Sequence, residues 1–196
     1  MPQLKYTIMK NLLIIFFASI ALSCKAQTYP LNTSPSDIPD NAYLKDTNNE
    51  LDKYIGLWKG NWNGKTVYLE LRKVKYYYAG NHPFYSDEIF GERKILSSNG
   101  TVEIDRVSNF GSDGVEFRGI NKSLKYIGKE TINFYPRNMC RKTATIHITS
   151  FTSTQMTLHL EYDPSFWKAD CIHNAYINQH DDLPINFPKD IVLTKQ

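Results

Sequence analysis

The stretch IGLWKGNWNGKTVYLELRKVK, residues 55–75, decides the fold. Its Asn-Gly pair at positions 63–64 separates two runs, and this dipeptide between such runs is the strongest short-range signal for a β-hairpin. In the second run Val67, Leu69 and Leu71 fall at every second position, with Tyr and Glu between them. Because the side chains of a strand alternate between its two faces, the pattern predicts an antiparallel pair with one buried face.

Runs of the same kind continue at regular spacing along the chain. Turn-forming pairs such as Asn99-Gly100 and Asp163-Pro164 lie between them. The predicted strands are 55–62, 65–75, 87–96, 101–107, 115–120, 130–135, 143–149, 155–162, 172–177 and 191–194. Without a second helical segment to build crossovers, the series predicts an all-β fold, an antiparallel meander of roughly 8–10 strands closed as a barrel or folded as a β-sandwich.

A short helix is predicted just before the first strand, over residues 46–54. Thr47 followed three residues later by Glu50 is a capping-box pattern. Acidic side chains early in the segment suit the positive end of a helix. We therefore expect one or two helical turns leading into the hairpin.

The alternation within residues 143–162 restricts the register of a second hairpin. A slip of one residue would move every apolar side chain to the wrong face of the sheet. His147 can therefore lie opposite Thr157, His159 or Glu161, but not opposite the leucines between them.

Length and charge limit the classes of function. The chain has 196 residues, of which 41% are hydrophobic and 22% charged, as in one ordinary globular domain. The 23 Lys and Arg residues barely exceed the 20 Asp and Glu residues, and two of the lysines lie before residue 24 with no acid among them. Nucleic-acid binders carry a clear positive excess, so no nucleic-acid partner is predicted.

The N-terminus predicts an export signal. Met9-Lys10 supplies a short positive region before the apolar run Leu12 to Leu22. That run is long enough for a signal-peptide core but shorter than the roughly 20 residues that span a bilayer. Residues 1–23 are therefore predicted to be a signal peptide, with Met9 as its start.

The residues after this run predict a lipid attachment site. Ala21-Leu22-Ser23-Cys24 resembles the lipobox of bacterial lipoproteins. The resemblance implies acylation of Cys24, with the membrane as a partner and the cell envelope as the location. The alternative is ordinary cleavage after Ala26, which would leave a periplasmic or secreted protein.

Residues 24–43 are polar and rich in proline, which predicts a flexible tether after the lipidated cysteine. The alternative is a strap that packs on the folded domain through Tyr29, Leu31 and Ile38. Residues 44–196 are predicted to form the single barrel-like domain.

The junction ELDKYIGLWKG, residues 50–60, resembles the opening of the lipocalins, in which a short helical turn leads into a strand with Gly-x-Trp. The match, Gly56 and Trp58, implies a calycin-like barrel with the tryptophan packed across its closed end. The chain also resembles a family of small lipoproteins from Bacteroidota, for which no activity is known. On the residues alone, Trp58 and Trp62 share a strand face with glycines and are predicted to be core aromatics.

Three cysteines occur in the chain. If Cys24 is lipidated or removed, Cys140 and Cys171 remain as a pair in an exported protein, where disulfides form and persist. A disulfide between them is predicted.

Neither a catalytic residue nor a metal or cofactor site is predicted. His147 and His159 can lie close to Glu161, but the threonines around them indicate a solvent-facing surface, and the spacings typical of zinc sites are missing. A barrel could bring Glu70, Glu92 or Glu116 together without a linear trace, so paired carboxylates stay open.

An aromatic segment at residues 75–85 predicts a loop at a barrel mouth or a protein contact, since it holds five Tyr and Phe residues beside Gly and Pro. The alternative is that these rings pack on one another. The candidate binding residues are Trp58, Trp62, Tyr76, Tyr78, Phe84 and Tyr85.

Two hypotheses for function follow. The first is an envelope-anchored lipoprotein that holds a small apolar ligand or lipid in its barrel. The second is a structural or interaction module that contacts another envelope protein through the aromatic segment. An open lumen would favour the first hypothesis. A lumen filled by the large inward side chains would oppose it, namely Trp58, Trp62, Leu69, Leu71, Ile146 and Leu158.

Overall fold

The structure is a computed structural model that describes residues 27–112, 114–137, 139–162, 170–181, 184 and 186–196. The predicted signal peptide, Cys24 and the alternative cleavage position after Ala26 lie outside the described residues. Two compact units are present: residues 27–45 with 77–86, and residues 46–76 with 87–196. Among the described residues, no helix is both long and apolar enough to cross a membrane.

Strands dominate the described chain. They are β1 (Thr28–Pro30), β2 (Tyr43–Lys45), β3 (Gly56–Trp62), β4 (Lys65–Tyr78), β5 (Phe84–Leu96), β6 (Val102–Asp105), β7 (Phe117–Lys122), β8 (Glu130–Phe134), β9 (Ala144–Phe151), β10 (Gln155–Tyr162) and β11 (Asp190–Lys195). Within these described residues, one short α-helix, α1, spans Asn174–His180, and three 3-10 turns span Pro35–Asp37, Asp52–Tyr54 and Val107–Asn109.

Eight of these strands form a closed antiparallel barrel. They pair in the order β3, β4, β5, β7, β8, β9, β10 and β11, and β11 then pairs with β3, where Leu193 lies opposite Gly60. The short strand β6 pairs with β5 outside this ring. The predicted all-β meander and its lipocalin-like barrel form are confirmed, and the β-sandwich alternative is wrong.

Both predicted hairpins are present. Trp62 lies opposite Lys65 across the Asn-Gly turn, whose residues have φ angles of 50° and 81°, as hairpin turns of this kind require. In the second hairpin His147 lies opposite His159, one of the three partners that the alternation allowed.

Large apolar side chains fill the barrel interior. The indole Nε1 of Trp58 donates a hydrogen bond to the carbonyl oxygen of Tyr54 (2.8 Å), and the ammonium of Lys195 lies 5.3 Å from the indole ring. Close packing also explains Gly60, since a Cβ atom there would lie 2.7 Å from the Leu193 side chain. The core residues with at most 1% exposure include Trp58, Val67, Leu69, Leu71, Ile89, Ile132, Ile146, Leu158 and Leu193.

The predicted helix over 46–54 is mostly a turn. Only Asp52–Tyr54 is helical, as one 3-10 turn, and no side chain caps it. Asp46 rather than Thr47 organises the segment, because its carboxylate accepts hydrogen bonds from the backbone N–H groups of Glu50 (2.8 Å) and Leu51 (3.0 Å). One of the expected turns is therefore present, but the capping box is not formed, because the buried carboxylate of Asp46 accepts the N–H of Glu50 that Thr47 would have served.

The predicted strand 172–177 is also wrong, since this part of the chain forms α1. β10, the strand before it, pairs with β9 on one side and β11 on the other, so the sheet has no free edge there. The backbone instead satisfies its N–H groups locally, as in the bond from Ile177 to the carbonyl oxygen of His173 (2.9 Å).

In the smaller unit β1 runs parallel to β2, and β2 runs parallel to the first residues of β5. Ile38 and Leu44 are buried in a small apolar cluster, at 4% exposure each, and Tyr29 and Leu31 pack against it. The three residues named for the strap alternative therefore share one cluster.

Candidate functional site

A cleft of about 500 Å³ opens at one end of the barrel. Its walls come from segments that follow β5 and β8 and precede β7 and β11. These segments meet because, in neighbouring antiparallel strands, one strand ends at the barrel end where the other begins. Trp58 lies near the start of β3 and Lys195 at the end of β11, toward the opposite end. Charged and amide side chains around the cleft include Arg93, Asp105, Arg106, Glu116, Arg137 and Asn186.

The centre of the cleft wall is a buried ion pair between Arg93 and Glu116. The guanidinium donates through Nε (2.8 Å) and Nη2 (3.1 Å) to the two carboxylate oxygens, and both side chains are 1% exposed. The backbone N–H of Arg137 donates to the same carboxylate (3.0 Å), and Arg93 also donates to the carbonyl oxygen of Asn186. A bidentate pair with further hydrogen bonds is the geometry in which a buried charge is tolerated.

Aromatic rings enclose the guanidinium of Arg93. Its central carbon lies 5.1 Å from the ring centre of Phe134 and 5.8 Å from that of Phe187. Phe117 stacks on Phe134 at 4.5 Å. These rings exclude water from the pair, which strengthens its electrostatic attraction.

A second buried carboxylate, Glu92, lies on the other face of β5. It is 0% exposed, and among the described residues neither of its oxygens has a hydrogen-bond partner. The nearest cationic atom is Nη2 of Arg106, at 3.6 Å. Burial raises the pKa of Glu92 above its ordinary value and the charge of Glu116 raises it further, while Arg106 acts in the opposite direction. Glu70, on β4, pairs with Arg72 (2.7 Å).

The acids that line the cleft already have cationic partners. Besides Glu116, Glu103 pairs with Lys65 (2.7 Å) and Asp105 pairs with Lys94 (2.8 Å). The ammonium of Lys94 and the N–H of Ser108 lower the pKa of Asp105 to about 2. The guanidinium groups of Arg106 and Arg137 also line the cleft. Arg106 lies 3.6 Å from Glu92, and Arg137 donates a hydrogen bond to the carbonyl oxygen of Gly114 (3.0 Å).

The large inward side chains of the barrel, as far as the structure describes them, have almost no accessible surface. Trp58, Leu69, Leu71, Ile146 and Leu158 are all 0–1% exposed. A lumen wide enough for a water molecule would leave accessible surface on these side chains. Trp62, which was also predicted to fill the lumen, is half-buried at the end of β3. The ammonium of Lys65 lies 5.4 Å from its ring.

The aromatic candidates pair with neighbouring side chains. In the smaller unit the rings of Tyr78 and Phe84 stack at 4.7 Å, and those of Tyr77 and Tyr85 lie 4.8 Å apart. In the larger unit Tyr76 lies 5.4 Å from Phe90, with the guanidinium of Arg118 4.0 Å from its ring. These contacts match the alternative in which the rings pack on one another.

The histidine pair lies outside the cleft. Glu161 contacts both rings, at 3.5 Å from Nε2 of His147 and 3.3 Å from Nε2 of His159. His147 is only 5% exposed, so the predicted solvent-facing surface is wrong there, because the ring of Tyr126 covers it at 4.8 Å. Within the described ranges, no three His, Cys, Asp or Glu side chains are grouped to hold a metal ion.

Cys140 and Cys171 lie at disulfide distance beside the cleft, with Cα atoms 5.4 Å apart. Cys171 packs in a buried apolar cluster with Met139 and Ile177, and Cys140 packs against this cluster. Met139 also lines the cleft. The bridge therefore fixes one wall of the cleft to the segment that leads into α1.

Sequence reasoning named Glu92 and Glu116 but missed the arginines. One signal was present: Ile89, Gly91 and Ile95 alternate along β5, and Arg93 takes the inward position between them. A charged residue in an apolar strand face indicates a buried partner. Arg106 and Arg137 lie in loops, where no periodicity could have identified them.

Comparison with known families matches residues 9–196 to one described as a family of unknown function, DUF6705. Neither a curated protein nor a solved structure matches the chain.

Proposed function

The chain belongs to DUF6705, a family of unknown function, and from this starting point we propose that the protein is an envelope-anchored binding protein. Its ligand is a small amphipathic anion, a molecule with an acidic group and an apolar part. The ligand occupies the cleft at the barrel end rather than the filled interior. The observation that carries the proposal is that the guanidinium groups of Arg106 and Arg137 line one cleft together with apolar side chains.

The chemistry of the cleft supports this class of ligand. A guanidinium group recognises a carboxylate, sulfonate or phosphate through planar, charge-assisted hydrogen bonds. Ile104, Met139 and Pro184 line the same cleft and make part of its wall apolar. Small-molecule sites commonly combine apolar walls with a few convergent polar groups, and the volume lies in their usual range.

A binding titration tests the proposal on the full chain. The probes are the fluorescent anion anilinonaphthalene sulfonate and dodecanoate as its competitor. Arg137→Gln should weaken both by about tenfold or more, because a charge-assisted hydrogen bond is lost. The control is Arg72→Gln, which removes an exposed arginine bound to Glu70, outside the cleft.

Two outcomes of the titration would contradict the proposal. Equal affinity of the two variants, or no saturable binding of either probe, would contradict an anion site in the cleft. Unfolding curves of both variants show whether a loss of binding reflects the site or the fold.

The anchor is a separate part of the proposal. It rests on the lipobox resemblance at Cys24 and on the apolar run before it. Cys24→Ser should move the protein from the membrane fraction to the soluble fraction, since acyl chains contribute about 0.8 kcal/mol per buried methylene. Unchanged membrane retention of this variant would reject acylation as the anchor.

A further inference from the structure

The loop between β7 and β8, residues 123–129, carries two fully exposed aliphatic side chains. Leu124 is 104% exposed and Ile127 is 99% exposed. No other large apolar side chain in the described ranges reaches this exposure; the next, Ile172, is 75% exposed. The two residues therefore form an apolar tip that nothing in their own unit covers.

The loop has a defined backbone. The N–H of Ser123 donates to the carbonyl oxygen of Lys129 (2.7 Å). The N–H of Lys129 donates to the carbonyl oxygen of Tyr126 (3.1 Å). The Ser123 hydroxyl accepts a hydrogen bond from the N–H of Tyr126 (3.0 Å). The ring of Tyr126 packs edge-on against His147, which holds this side of the loop to the barrel. The aliphatic tip is thus presented outward by a closed turn.

Lysines surround the tip. Lys122, Lys125 and Lys129 are all exposed, within eight residues of one another. Glu130, at the start of β8, pairs with Lys53, and Glu161 pairs with Lys125. Lys122 and Lys129 therefore supply the excess charge. The tip therefore combines apolar side chains with a local excess of positive charge.

We propose that this loop docks on an anionic lipid surface, with Leu124 and Ile127 entering the boundary between headgroups and acyl chains and the lysines contacting lipid phosphates. Lysines near an anionic membrane contribute attraction, and aliphatic side chains partition into the interface. A protein partner fits less well, because two aliphatic side chains cover far less than the roughly 800 Å² that each side of a stable interface buries. The docking does not depend on the acyl anchor or on the ligand of the cleft.

The test uses the full chain with Cys24→Ser, so that no acyl chain contributes to binding. A single new cysteine, Ile127→Cys, carries an environment-sensitive dye at the tip. The matched control is Ser98→Cys in the exposed turn after β5. That turn lies at the opposite barrel end, because β5 and β7 run antiparallel. Vesicles of phosphatidylcholine with about one third phosphatidylglycerol are compared with vesicles of phosphatidylcholine alone.

The expected result is a blue shift of the dye at position 127, with anionic vesicles only. The dye at position 98 should not shift. On the Ile127→Cys background, replacing Lys122 and Lys129 with Gln should weaken vesicle binding about fivefold for each lysine. The shift should also decline in about 1 M salt, where the screening length falls to about 3 Å.

Three outcomes would overturn the inference. Equal shifts at positions 127 and 98 would mean adsorption without a preferred face. A shift of the same size with neutral vesicles would remove the role of charge. An unshifted tip dye on vesicles that bind the protein would mean that another part of the chain makes the contact.

Discussion

Replacing Glu116 with Gln tests whether the pair with Arg93 is as closed to water as its geometry indicates. The substitution keeps the size of the side chain and one hydrogen-bond acceptor, so it removes little besides the negative charge. Arg93 would then be a cation at 1% exposure, enclosed by Phe134 and Phe187. We expect a large loss of folding stability and little change in the barrel itself.

The size of the loss follows from the burial of both partners. Breaking a buried ion pair from one side costs about 3–5 kcal/mol, because the remaining charge is desolvated without compensation. For a chain of this length each kcal/mol lowers the melting temperature by about 2–4 °C. Glu116→Gln should therefore melt about 6–20 °C below the wild type.

A double variant separates the charge from the packing. Arg93→Met with Glu116→Leu replaces both groups by apolar side chains of similar length. Removing the two charges together leaves neither uncompensated, so the double variant should recover most of the lost stability. Urea unfolding at neutral pH, followed by tryptophan fluorescence and by circular dichroism, measures the free energy of each variant.

One result would refute the reasoning. A Glu116→Gln variant that loses less than about 1 kcal/mol would behave like an exposed surface pair. Water would then reach Arg93 in solution, and the aromatic enclosure would not exclude it. A double variant no more stable than Glu116→Gln would instead mean that the pair is needed for packing rather than for charge balance.

Two further variants test groups next to the cleft. The folded-state pKa of Glu92 is raised, so wild-type stability should decline as pH rises above the ordinary glutamate value of 4.5. The variant Glu92→Gln should lack this decline. Urea unfolding of both proteins at about pH 5 and about pH 8 measures the difference. Parallel pH curves would contradict it. Removing the disulfide as Cys140→Ser with Cys171→Ser opens a loop of 31 residues and should cost about 3.5–4 kcal/mol in the chain-entropy model. Equal urea midpoints of this variant and the wild type would argue against that model here.

The strand pattern was predictable because it is local. Alternation between polar and apolar residues leaves a trace within each strand, as Val67, Leu69 and Leu71 do in β4. The strand pattern left a barrel and a β-sandwich both open, and the lipocalin resemblance at Gly56 and Trp58 favoured the barrel. The capping box near Thr47 failed because Asp46, held by Asp87 and Lys73 from other strands, takes its role. The strand 172–177 failed because the sheet offers it no free edge.

The cleft was less predictable, because its residues meet only after the barrel has closed. Glu116 precedes β7 and Arg137 follows β8, and no pattern within either segment indicates that they converge on Arg93. Arg93 alone left a trace, as a charge at an inward position of an alternating strand. Sequence reasoning identified Glu92 and Glu116 as candidates. It could not predict that Glu116 is paired with Arg93 while Glu92 is buried without a hydrogen-bond partner among the described residues.

Closure of the barrel has a consequence for how the protein behaves at high concentration. An open sheet ends in a row of unpaired N–H and C=O groups, on which another copy can add as a further strand. The pairing of β11 with β3 satisfies that row within one molecule. Outside the ring, β2 lies between β1 and β5, and the edge strands β1 and β6 are three and four residues long. β1 ends at Pro30, which lacks an N–H group. Such short edges offer little template for strand addition, so the topology itself protects the folded chain against ordered aggregation.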